Sequence, residues 1–227
     1  MSDEEREARV VQQRLDRAQV VESAIAFVDA CGLSELTMRR LGTALDVEAM
    51  ALYRHVSGRG DLLEAMVDEL IDGLFDDDLM TEDSHSWEEY LQRVANATRN
   101  LALKHPRIFP LIATQPPQAP WLRPPLRSVR WVEDFLSSLQ RFGFADAEAV
   151  AAYKAFTSFL VGALLLQAAS LTPEALGDEE ESSAGDDLSE YPTVARLQGL
   201  LMEDHAQREF DDALDDLIER IRTSTQG

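Results

Sequence analysis

Apolar side chains recur at helical spacing through nearly all of this 227-residue chain, and no segment shows the strict alternation of a half-buried strand. Val21, Ala24, Ile25, Val28 and Cys31 fall at i, i+3, i+4, i+7 and i+10, a stripe that Gly32 closes. Thr37 stands where it would cap a short helix running to Leu45, and Asp46-Val47 breaks the pattern before a second short helix to about His55. Leu62, Leu63, Met66, Val67, Leu70, Ile71 and Leu74 mark a longer helix. Others are predicted from Trp87 to near His105-Pro106, from about Leu126 to Phe142, and from Asp146 to about Leu171. The last pattern is a 4-3-4 stripe of Phe210, Leu214, Leu217 and Ile221. The expected fold is all-α, a small N-terminal three-helix unit followed by a larger helical body.

The expected organisation is a flexible arm over 1–14, a helix-turn-helix unit over 15–60 and a regulatory body over 61–227. The body holds a mobile acidic loop at about 174–191. The first residues are charged and carry no secretory run. The uncharged stretch 155–173 is interrupted by Thr157, Ser158, Gly162, Gln167 and Ser170. A membrane span needs about 20 mostly apolar residues, so this stretch is read as a buried core helix and the protein as cytoplasmic, with no membrane partner. The single cysteine, Cys31, excludes a disulfide framework and is read as a small buried residue. There is no Gly-x-Ser-x-Gly, P-loop or glycine-rich nucleotide turn, and His55, His85, His105 and His205 lie far apart. No enzymatic activity, metal or cofactor is expected.

Charge narrows the reading further. The chain carries a formal −21, yet residues 1–62 hold eight arginines against eleven acidic residues, and residues 37–60 are locally +2. An acidic body opposes general adhesion to nucleic acid but not docking through one small face. The mildly basic window contains VEAMALYRHV, residues 47–56. A helix-turn-helix needs apolar contacts between two short helices, a small residue where they cross, and a turn that tolerates unusual backbone. Leu41, Leu45, Val47 and Leu52 can supply the contacts, Gly42 the small residue, and Asp46 a left-handed turn. An ordinary helical hairpin fits the same spacing.

Residues 36–66, LTMRRLGTALDVEAMALYRHVSGRGDLLEAM, resemble the TetR family of bacterial transcriptional regulators. The Thr-x-Arg start, the Leu-Tyr-x-His-Val close and the basic residue before Asp-Leu-Leu carry the resemblance, and Ser86-Trp87 suggests the tetracycline-repressor branch. It implies that Thr37 and Arg39 meet DNA at the start of the first short helix. It likewise implies that Tyr53 and His55 contact phosphates and that Arg59 binds backbone. At the exposed tip of the recognition helix stand Glu48, Ala49, Met50 and Ala51, where relatives carry amides and hydroxyls. Alanine and methionine can touch a thymine methyl but cannot make bidentate base contacts worth ~1–3 kcal/mol. Specificity is therefore assigned to apolar contact, Arg39, Arg54 and DNA shape, on an operator different from that of the tetracycline repressor.

The resemblance further implies a homodimer on a palindromic double-stranded operator, released by a small-molecule inducer. Gly162 and Leu166 on the long apolar helix, with Phe210, Leu214, Leu217 and Ile221, are expected at the dimer bundle. The expected ligand site draws on Phe109, Trp121, Trp131, Phe135, Phe156 and Phe159, with Arg99 and Gln167 as polar anchors. The helix after Trp87 offers Val94 and Thr98, and the next turn Ile112, so a tetracycline–magnesium inducer is not expected. The competing reading is an all-α small-molecule binding protein without operator binding.

Overall fold

The computed structural model describes residues 15–76, 84–114, 128–172 and 188–225, and among these it contains ten helices and no strand. The arm at 1–14, the proline-rich segment with Trp121, and most of the acidic stretch at about 174–191 lie outside the described residues. The helices fall into two compact units, the first ending at Gly73 and the second beginning at Leu74.

The first unit holds α1 (Arg17–Cys31), α2 (Met38–Ala44), α3 (Ala49–Leu52) and α4 (Arg59–Gly73), with a 3-10 turn at Leu33–Glu35. Asp16 opens α1 with a reciprocal cap: Gln19 N–H donates to Asp16 Oδ1 at 2.8 Å, and Asp16 N–H to Gln19 Oε1 at 3.2 Å. Val20, Val21, Ala24, Ile25 and Val28 form the buried face of α1, which packs against Leu62, Leu63, Met66, Val67, Leu70 and Ile71 of α4. This packing carries the unit thirteen residues past the sequence boundary at 60. Cys31 is exposed, a correction to its reading as buried. It is the last residue of α1, one turn beyond the buried Val28, whose carbonyl accepts from the Gly32 N–H at 2.8 Å.

The second unit holds α5 (Trp87–Lys104), α6 (Phe109–Thr114), α7 (Val129–Arg141), α8 (Asp146–Ser170), α9 (Pro192–Leu201) and α10 (Ala206–Thr225). Ser86 and Ser128 cap α5 and α7 through their hydroxyl oxygens. Helix α8 is long and apolar enough to cross a membrane by length and composition alone. It is the hub of this unit, packing against α5, α6, α7 and α10 and burying Phe156, Leu160, Leu164 and Ala168.

The stripe of α10 corrects the expected dimer surface. Phe210, Leu214, Leu217 and Ile221 are buried within their own subunit, against α8 and α5, and the Phe210 ring packs 5.5 Å from Phe159. Gly162 and Leu166 face outward on α8, with Leu166 75% exposed. Helix α9 had no counterpart in the sequence reading. None of its residues is buried, and Val194, Leu200 and Leu201, with the flanking Tyr191 and Met202, are exposed.

Candidate nucleic-acid interface

Helices α2 and α3 cross at Gly42. The Val47 N–H donates to the Gly42 carbonyl at 2.9 Å, and a Cβ on Gly42 would sit 2.9 Å from the Val47 oxygen and 3.2 Å from the Ala49 nitrogen. Only glycine admits two backbones this close. Asp46 turns the chain with φ of 54°, the only left-handed non-glycine among the described residues. Leu41 and Leu52 are fully buried beneath the turn, with Leu36 and Val56 beside them, while Leu45 and Val47 are half-buried. This is helix-turn-helix geometry.

The outer side of the motif carries most of the candidate contacts. Thr37 caps α2, its Oγ accepting from the Arg40 N–H at 3.2 Å, which leaves the hydroxyl proton to donate outward. Arg39, Glu48 and Arg54 are exposed, and Ala49 is half-buried. Met50 at the tip is 74% exposed and Tyr53 is 47% exposed, so neither side chain is consumed by the core. His55 is half-buried. Arg40, by contrast, pairs with Glu35 and lies over the Phe27 ring at 5.7 Å.

Two arginines hold this motif in shape, and the sequence reading identified neither role. Arg59 donates through Nε to the Leu36 carbonyl at 3.0 Å and through Nη2 to the Leu33 carbonyl at 3.1 Å. Its guanidinium thus clamps the turn before α2, while the residue stays exposed. Arg17 donates from Nη1 to the His55 carbonyl at 2.7 Å and from Nη2 to Asp61 at 2.8 Å. Asp61 also accepts from the Ser57 N–H at 2.7 Å. Arg17, then the Ser57 amide, hold the Asp61 carboxyl down at about 2. One ion pair thereby ties the start of α1, the exit of the recognition helix and the start of α4.

The residues expected to line a ligand site separate into two places in the second unit. Phe135 packs against Tyr90, Tyr153 and Phe156 with ring centres 5.3–5.8 Å apart. Phe109, Phe135 and Phe156 are all fully buried. Trp131 is 2% exposed, and its Nε1, like the Tyr153 hydroxyl, is buried without a hydrogen-bond partner. Such a donor costs about 1–3 kcal/mol. Burial pushes the Tyr90 and Tyr153 hydroxyls up, so both stay protonated. Arg99 and Gln167 lie elsewhere and meet at 3.1 Å in an open cleft of about 750 Å³. Phe159 lines an adjacent groove of about 370 Å³ beside Leu166. Thr98, buried, spends its hydroxyl on the Val94 carbonyl at 2.8 Å. Among the described residues no cluster of three or more His, Cys, Asp or Glu is arranged to hold a metal ion.

Comparison with known proteins places this geometry in context. Residues 81–225 match the family described as the tetracyclin repressor-like C-terminal domain. The chain is 31% identical over 159 residues to the HTH-type transcriptional repressor DrrR1 of Streptomyces coeruleorubidus. That match takes in 66% of this chain and only 52% of that relative, about half its length. Identity to tetracycline repressor protein class G of Vibrio anguillarum is 27% over 217 residues, 93% of this chain and 97% of that protein. Among solved structures, a possible TetR family transcriptional regulator from Streptomyces coelicolor A3(2) aligns with a TM-score of 0.74 and 31% identity. It covers 92% of this chain and all of its own.

Proposed function

Because the chain belongs to the TetR family of transcriptional regulators, we propose that it is a cytoplasmic, homodimeric repressor that reads a palindromic operator and is released by a small molecule. The observation that carries the proposal is the close crossing of α2 and α3 at Gly42, with Arg39, Met50, Tyr53 and Arg54 exposed on the motif it builds. Thr37, Arg39, Tyr53 and His55 grip the backbone, Met50 and Ala49 meet thymine methyls, and Arg54 is the guanine reader. Arg59 acts indirectly, by holding the turn before α2.

Dimerisation uses the outward face of α8, with Gly162 and Leu166, together with the exposed apolar side of α9. Clustered apolar exposure of this kind marks an interaction surface, and a two-fold mate supplies the second half-site about 34–36 Å away. The orphaned donors of Trp131 and Tyr153 favour an inducer with acceptor oxygens at the aromatic group of α7 and α8. The released and bound states need a coupling of about 1–3 kcal/mol between ligand and operator.

Selection of bound fragments from randomised duplex DNA, with affinities at two salt concentrations, tests this reading. A recovered palindrome whose affinity falls steeply with salt, with a log–log slope of no more than about 0.9 per phosphate contacted, is the expected result. Recovery of no sequence at low salt would instead favour the ligand-binding protein without operator activity.

A further inference from the structure

The cleft of about 750 Å³ lies between α5, the C-terminal end of α8 and the first turns of α10, a volume within the range of about 300–1,000 Å³ that takes a small organic ligand. Arg99 enters it from α5 with its plane already fixed. Its Nε donates to Gln167 Oε1 at 3.1 Å, and its Cζ lies 5.5 Å from the centre of the Phe210 ring. Gln167 is itself held, donating from Nε2 to the Ala206 carbonyl at 3.0 Å. Among the described residues the two Nη amines of Arg99 meet no acceptor. The guanidinium therefore presents an end-on pair of donors, oriented in advance, and such a fork matches the two oxygens of a carboxylate.

The two carboxylates that line the cleft have hydrogen-bond partners of their own. Asp211 accepts from Gln207 Nε2, at 2.9 and 2.8 Å, and Asp204 accepts from the Ala206 N–H at 3.1 Å. His205 is bonded to Glu203 at 3.0 Å. Arg208 stands exposed at the rim as a second cation. The apolar part of the lining is Leu103, half-buried, and Leu171, 52% exposed. Asp204 and Asp211 in the same lining repel a doubly charged phosphate more than a singly charged carboxylate, and Leu103 and Leu171 can cover an apolar tail.

We infer that this cleft is a binding site for a small amphipathic carboxylate, with Arg99 holding the carboxylate end-on and Leu103 and Leu171 covering the hydrocarbon. The site is distinct from the aromatic group of α7 and α8, and it stands whether or not the chain reads an operator.

Calorimetry on the full chain with sodium octanoate tests it, with 1-octanol as the uncharged control of equal length. Octanoate should bind, and Arg99→Gln should weaken it by about tenfold or more. Arg99→Lys should recover part of the loss, since an ammonium supplies charge without the fork. Octanol should bind the wild-type chain no better than octanoate binds the Arg99→Gln variant. Should that variant unfold, Arg208→Gln serves in its place: its exposed side chain can be removed without touching the core, and it should weaken octanoate a few-fold. Failure of octanoate to bind, equal affinity for octanol, or affinity untouched by both substitutions would overturn the site. Arg39→Ala, on the other unit, should leave octanoate binding unchanged, so failure here and failure of operator binding are read separately.

Discussion

Gly42 and Asp61 decide, one atom at a time, whether the α2–α3 motif keeps its shape. Alanine is normally the better helix former by about 1 kcal/mol, but at position 42 its Cβ would press on the backbone of Val47 and Ala49, which cannot rotate away. The clash wins. Gly42→Ala is expected to lose about 1–3 kcal/mol of stability, read as a lower denaturant midpoint, and to weaken operator binding. Asp61 acts by charge. Its carboxyl is held at about 2 by Arg17 and the Ser57 amide, below the ordinary value near ~3.9. A depressed carboxyl contributes stability that is complete above its unfolded value and lost as pH falls through the folded one. The contribution is present from about pH 4 upward and disappears towards pH 2. Both partners touch solvent, so it is worth less than about 1 kcal/mol. Asp61→Asn should flatten the acid limb of the stability curve between about pH 4 and 2. At neutral pH it should lower the thermal midpoint slightly, by the loss of less than about 1 kcal/mol, and weaken the operator complex several-fold, because the exit of α3 loses its tether. An unaltered acid limb would show that the pair does not form in solution.

At the scale of elements, what the sequence discloses depends on where each apolar face is spent. Helices α1, α2 and α4 were legible because their stripes are buried in their own unit, and Asp46 was legible because few residues tolerate the left-handed turn between α2 and α3. Helix α9 was not, since its apolar residues lie beside an acidic stretch and are buried nowhere in the subunit. Periodicity identifies a face but not its neighbour: the 4-3-4 stripe of α10 was rightly helical yet is spent on α8 and α5. The Arg17 clamp left no local trace, for it joins residues 38 and 44 positions apart through polar atoms alone. The redistribution of surfaces yields a paired test. Leu214→Ala should cost about 2–5 kcal/mol by opening a cavity inside the subunit. Leu166→Glu, on an exposed face, should leave the subunit folded but shift it from dimer to monomer in sedimentation. A monomeric Leu214→Ala with unchanged stability would restore the α10 stripe to the interface.

As the proposed repressor, the whole molecule has to approach a polyanion while carrying a formal −21. At 0.15 M salt the field of the acidic body is screened within about 8 Å, so contact is decided by the +2 window at 37–60 rather than by net charge. Two salt effects then oppose each other. Counterions released from the phosphates strengthen binding as salt falls, while repulsion between the body and the duplex grows. The measured slope should therefore be shallower than the number of phosphates contacted would give. Arg39→Ala removes one cation at the interface and should lower both the affinity and the slope, the latter by about one. Tyr53→Phe removes an uncharged hydroxyl and should lower the affinity with the slope intact. Both side chains are exposed, so neither change should move the thermal midpoint. Fluorescence titration of a labelled operator at several salt concentrations separates the two effects. Equal affinity for wild type and both variants would mean that the outer face of the α2–α3 motif does not meet DNA at all.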